Sequence, residues 1–147
     1  MLLSKDIAID RVLNGVVAGT TVQAGTGLSM EGYSGILFIT AVGALTANQV
    51  TALKAQQSDD DAVADDYSDI EGSASEALED TDGNKMLVLD IWKPKKLYVK
   101  PVVSRATANA VIDGVIAIRY SARSRPTTLG SSVKELVTLV GPDEGTA

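Results

Sequence analysis

Apolar residues along this chain fall in short runs broken every few residues by Gly, Pro, Asp or Asn, a pattern that predicts strands rather than helices. The densest stretch is Lys85–Tyr120. There MLVLDIW, LYVKPVVS and VIDGVIAIRY are separated by KPKK and RATANA. Pro94 in the first break presets φ for a turn and cannot donate to a strand ladder. Three adjacent apolar runs with short connections predict an antiparallel meander over Met86–Trp92, Leu97–Ser104 and Val111–Tyr120.

Upstream, Gly35–Val42 (GILFITAV) is almost continuously apolar, as expected of a strand covered on both faces. Residues 1–33 are interrupted by Gly15, Gly19, Gly25, Gly27 and Gly32, which leaves no room for a helix of useful length. They read as an N-terminal arm with short strands near Thr20–Gln23 and Leu28–Met30. Thr46–Gln57 fits two patterns. As a helix, Thr46, Val50, Leu53 and Gln57 share a face, with Thr46 as cap. As a strand, Thr51, Leu53 and Ala55 point one way while Lys54 and Gln56 point the other. Ser58–Asp69 is an acidic loop, Asp69–Gly72 ends a short strand, Ala74–Glu79 is weakly patterned, and DTDGN at Asp80–Asn84 is a turn. A basic linker, SARSRPTTLGSS, follows Tyr120, and Val133–Val140 is one more apolar element. About eight strands and no long helix predict an all-β, two-sheet antiparallel β-sandwich, with a jelly roll favoured over an up-and-down barrel. The expected organisation is a core over 34–126, an N-terminal arm at 1–33 that carries short strands and is part of the domain, and a C-terminal arm at 127–147.

Composition narrows the chemistry. The 147 residues suffice for one domain with a real core; 45% are apolar, with one Trp and one Phe, so small branched side chains should fill it. No apolar run approaches the ~20 residues of a bilayer span, so no membrane partner is expected. MLLSKDIAID meets charge at once and does not read as a signal peptide. There is no Cys and no His, which removes disulfides, thiolate chemistry, imidazole bases and nearly all zinc and haem sites. No cofactor or metal is expected.

The formal charge of −6 is segregated. Between Asp59 and Asp82 lie eight Asp and three Glu with no Lys or Arg; between Lys93 and Arg125 lie four Lys and four Arg against Asp113 alone. Such a chain suits docking on a surface of matching pattern, although solvated loops and strand faces would carry the same charges. Asp80, Asp82 and Asn84 alternate as in a calcium loop, but Gly83 is out of register and no Glu follows at the required spacing, so a plain turn is favoured. The remaining acidic residues read as a mobile, hydrated loop, too loosely held for paired-carboxylate hydrolysis. No motif activates a Ser and none cradles a phosphate. Lys93, Lys95, Lys96, Lys100 and Arg105, with Tyr98 and Trp92 nearby, have the types that contact single-stranded nucleic acid. A pI near 4.5 opposes that, and lysines on strand edges also block stray pairing, so no nucleic-acid partner is expected. Trp92 and Tyr98 are expected to pack on each other or on the sandwich rim. Arg119, Arg123 and Arg125 straddle the exit from the last strand, where interface and solvated-linker roles are both open.

The phrases VTALKAQQSDD (Val50–Asp60), DIEG (Asp69–Gly72) and the run from Asp80 through KLYVKPVV to Pro126 resemble a family of tailed-phage capsid cement or decoration proteins. That family includes the jelly-roll cement protein of short-tailed Bordetella phages. Lys100 stands where the family phrase has Arg, and the closing EGTA is also similar. The resemblance covers about Ser34 to Pro126. It implies a strand over Thr46–Gln57 and a non-enzymatic virion protein on the capsid exterior, made in the host cytoplasm. It further implies binding across joints between subunits of the major capsid protein, as a homodimer or alternatively a trimer. The contact residues expected are Arg119, Arg123, Arg125 and Pro126 at the basic exit, and Val133, Leu136 and Leu139 in the C-terminal arm. The alternative is a carbohydrate-binding β-sandwich of a tail or fibre, which requires an exposed aromatic platform.

Overall fold

A computed structural model describes residues 2–141, 143 and 144. The Gly145–Ala147 end of the EGTA phrase lies outside the described residues. After a 3₁₀ turn at Leu3–Lys5, the strands are β1 (Ala8–Leu13), β2 (Val16–Gly19), β3 (Gln23–Ala24), β4 (Leu28–Ser29), β5 (Gly35–Leu45), β6 (Val50–Ser58), β7 (Ser68–Asp69), β8 (Met86–Trp92), β9 (Tyr98–Ala106) and β10 (Ala110–Tyr120). They form two antiparallel sheets. The first runs β1-β10-β5-β8, with β2 also on β10. The second runs β3-β9-β6-β7, with β4 also on β9. Taking β1 with β2, and β3 with β4, as interrupted strands gives jelly-roll order: the first segment pairs with the last and the second with the penultimate.

The core lies between the sheets. Ile36, Phe38 and Val42 of β5 and Ile112, Val115 and Ala117 of β10 meet Leu53 and Ala55 of β6 and Val99 and Val103 of β9, all buried. The alternation in β6 is the one expected of a strand, with Thr51, Leu53 and Ala55 inward and Lys54 and Gln56 outward. Burying the single Phe38 contributes about 2–3 kcal/mol.

The expected meander does not form. β8 pairs with β5, β9 with β6, and β10 with β5 and β1, so consecutive strands alternate between sheets. The physical reason is that Lys93–Leu97 and Thr107–Asn109 carry the chain across the ~10 Å sandwich instead of reversing it in plane. Lys93 and Thr107 adopt left-handed φ of 52° and 68° at these crossings. Apolar alternation states which side of a strand is buried, not which sheet it joins.

The flanking segments also differ from reaching arms. Residues 8–29 supply β1–β4 to both sheets, and Ala8 and Val12 are core residues. After Tyr120 the chain returns along the outer edge of β1. The Thr127 N–H donates to the Lys5 carbonyl (3.0 Å), the Gly130 N–H to the Ile9 carbonyl (3.0 Å), and Ser132 Oγ accepts from the Arg11 N–H (2.8 Å). Val133–Val140 forms no strand, and Leu136, Val137, Leu139 and Val140 are exposed.

Candidate docking surface

The outer face of the first sheet can be laid out from its register. Tyr120, Gly35 and Trp92 form one row. Ile9, Ile118, Leu37 and Asp90 form the next, then Arg11, Ile116, Ile39 and Val88, then Gly114, Ala41 and Met86. Within these rows Arg11 and Asp90, on opposite borders, are the charged residues, and Asp113 adds a carboxylate at the Gly114 end. Met86 is 64% exposed, Val88 57%, Trp92 55% and Ile116 44%. An antiparallel sheet that meets water on one side normally alternates polar outward. Here β5, β8 and β10 are apolar on both sides, yet nothing among the described residues covers the outer one.

The second sheet is built the other way. Its outer face carries Ala52, Lys54, Gln56, Lys100 and Ser104. Lys54 Nζ and Gln56 Nε2 both donate to Asp69, at 2.7 and 2.8 Å, and Lys100 sits 4.0 Å over the Tyr67 ring. The sandwich thus has one polar and one apolar side.

An aromatic pair closes one end of the apolar side. Trp92 stacks on Tyr120 with ring centroids 5.9 Å apart, so of the two expected arrangements packing on Tyr98 does not occur. Tyr98 belongs to the other sheet. Gly35 lies beneath the pair, where an added Cβ would meet Tyr120 Cζ at 2.2 Å. The Tyr120 hydroxyl donates to Asp90 Oδ1 at 2.6 Å. Burial first, and then that bond, pushes its pKa up to about 12. Beside Trp92 lies a basic rim. Lys93 Nζ is 5.7 Å from the Trp92 ring, and Lys93, Lys95, Lys96 and Arg123 outnumber Glu31 and Asp59 in the groove that they line with Tyr33 and Pro94.

The expected contact residues part company. Arg119 points inward. Its guanidinium donates to Asp10 Oδ2 (2.9 Å) and the Ser29 carbonyl (2.8 Å) and lies over the Tyr33 ring. Arg125 is exposed but bonded to Asp6 of its own chain at 2.8 Å. Arg123 is exposed beside Lys93 and Lys95. Pro126 is exposed, Val133 borders the apolar face with Ile9, Ile39 and Met86, and Leu136 and Leu139 are exposed beyond it.

Of the basic residues weighed for nucleic acid, Arg105 is 3% exposed and donates to the carbonyls of Val17, Thr21 and Ala110. Lys96 pairs with Asp65 and, at 3.6 Å, with Asp59. The acidic loop is folded rather than merely hydrated. The Asp60 carboxylate accepts N–H bonds from Val63, Ala64 and Asp65, and Tyr67 donates its hydroxyl to Asp61. Those backbone donors hold Asp60 below the ordinary carboxylate range, and Lys96 first, then the Asp59 N–H, does the same for Asp65. Asp82 pairs with Lys85, and among the described residues no group of three or more acidic or imidazole side chains could hold a metal ion.

Sequence reasoning missed the apolar side as a surface. Its signal was present in the nearly continuous apolar run of β5, which was read as a strand covered on both faces, and in the apolar residues of β8. No family model and no curated protein matches the chain. Among solved structures it is similar to an SPBc2 prophage-derived protein, YomS, at 11% identity and a TM-score of 0.46, over 78% of this chain and 95% of that one. At that level the likeness assigns neither a function nor a partner.

Proposed function

We propose that the chain is a non-enzymatic structural protein of a phage particle, a cement protein that seats on the outside of the capsid shell across joints between major capsid protein subunits. The observation that carries this reading is the contrast between its two sides. The first sheet offers a four-strand apolar face with an aromatic anchor and a basic rim, and the second is polar and internally paired. A contiguous apolar face of this kind is a docking surface, and its charged border sets orientation. The matching shell surface presents apolar side chains opposite Ile39 and Ile116 and carboxylates opposite Lys93 and Arg123. Many copies on one particle add avidity to a modest single contact. The family resemblance of the Ser34–Pro126 phrases supports the same assignment.

The test is occupancy on shells stripped of the protein. Ile116→Glu places a charge in the middle of the apolar side and is expected to abolish occupancy. Val50→Glu, exposed on the polar side, is expected to leave it unchanged. Equal occupancy by both variants would overturn the assignment. A carbohydrate-binding reading draws on one observation, the exposed Trp92–Tyr120 stack. Hits on a glycan array that vanish with Trp92→Ala would favour it over capsid docking.

A further inference from the structure

The chain protects most of its sheet edges. The edge of β1 is covered by Thr127–Ser132, and that of β6 by β7 and by the Ile70, Ser75 and Leu78 N–H groups, which donate to Ala55, Leu53 and Thr51. β3 and β4 have two residues each. β8 differs. Its seven residues pair with β5 on one side only. The Lys93 N–H donates to the Ser34 carbonyl and the Lys85 carbonyl accepts from Val42, so odd-numbered residues of this strand aim their main chain at β5. The N–H and C=O groups of Val88 and Asp90, with those of Met86 and Trp92, therefore point away from the sheet. Among the described residues they have no partner. Of the devices that normally blunt an open edge, the strand has no Lys, Pro or bulge and a single charge, Asp90.

We infer that β8 pairs antiparallel with β8 of a second copy, joining the two first sheets into one across a two-fold axis at Leu89. The strand is self-complementary in that register. Val88 faces Asp90 of the other copy, Leu87 faces Ile91, Met86 faces Trp92, and Leu89 faces itself. The free main-chain groups of Val88 and Asp90 bond each other. No carboxylate meets its own copy, whereas a two-residue shift that centred the axis on Asp90 would set two carboxylates opposite. A segment of a different protein could use the same main-chain groups, but the side-chain match of the strand with itself favours a second copy. The axis is perpendicular to the sheet, so both apolar outer faces lie on the same side of the dimer. Pairing itself does not depend on the cement reading. Joining the two docking faces into one bivalent surface does.

The experiment is sedimentation of the full chain in solution, without any shell. The wild-type protein is expected to form dimers. Val88→Pro removes an N–H that β5 does not use. It is expected to weaken the dimer about thirtyfold, by deleting two symmetric bonds, with an unchanged circular dichroism spectrum. The chain has no Cys, so Leu89→Cys gives a clean second readout. Its sulfurs would face each other at the ~4.5 Å Cα spacing of a non-hydrogen-bonded pair and cross-link on oxidation, while Leu87→Cys would not. A wild-type chain that stays monomeric at high micromolar concentration would overturn the inference. So would a dimer that survives Val88→Pro and whose Leu89→Cys form fails to cross-link. A dimer that behaves as expected but does not bind shells would sink only the cement reading.

Discussion

The ring of Tyr120 lies over Gly35 and stacks on Trp92, so one rigid aromatic plate ends the apolar side of the sandwich. An interface anchor of this type is held in place before binding and loses little freedom on docking. Trp92→Ala is expected to weaken shell binding by about 2 kcal/mol, roughly thirtyfold, with little change in thermal stability because Trp92 is over half exposed. Titration of the variant against stripped shells, beside its melting curve, checks this. Gly35→Ala should move both quantities, since the new Cβ displaces the Tyr120 ring.

Arg119 and Asp10 test the opposite kind of role. Their side chains are 16% and 14% exposed, and the guanidinium also holds the Ser29 carbonyl, tying β10 to β1 and β4. Removing one partner leaves a charge in a confined site. Arg119→Ala is expected to cost about 3 kcal/mol, read from chemical denaturation. Occupancy measured on the protein that remains folded should be unchanged, because Arg119 does not reach the outer face.

The acidic loop should lose its order on acidification. Asp65 has a folded pKa below its unfolded value, so its contribution is complete above about pH 4 and is lost as pH falls through the folded pKa. Lys96→Met removes the larger cause of that depression. The native pKa then rises towards the unfolded one, and loop order should fail at a higher pH than in the wild type. Carboxyl chemical shifts followed by NMR between pH 5 and pH 2 check the direction.

The C-terminal segment divides at Ser132. Deleting 127–147 strips two backbone bonds, the Arg11 N–H bond to Ser132 Oγ and the Thr127 hydroxyl bond from the Lys5–Arg11 edge and is expected to destabilise the domain by about 2–4 kcal/mol and promote aggregation. Deleting 134–147 leaves those contacts in place and should not change the melting temperature. Differential scanning calorimetry of the two truncations separates the cases. Any loss of shell binding by the shorter truncation then belongs to the exposed 134–147 segment, which carries Leu136 and Leu139, and not to unfolding of the domain.

The strands of the core were legible because their alternation is strict where one side is buried, as at Thr51, Leu53 and Ala55. The jelly-roll order was reached from strand number, but the pairing of β8, β9 and β10 was not. Which sheet a strand enters depends on partners distant in sequence, and KPKK looks the same whether it turns back or crosses over. Arg119 and Arg105 were indistinguishable by sequence from Arg123, since burial of a guanidinium depends on carbonyls and carboxylates supplied by other strands. The apolar side was visible in GILFITAV and MLVLDIW, and what could not be read was that, among the described residues, only Ser132 and Val133 reach its border.

The place of β10 has a consequence for how the protein folds. It is the last strand among the described residues, yet it lies between β1 and β5, pairing with β5 from Ala110 to Tyr120 and with β1 from Val115 to Arg119. Without β10 the first strand has no strand neighbour in its sheet. Closing the first sheet therefore waits on contacts between residues about a hundred positions apart, a non-local pairing of the kind that slows folding.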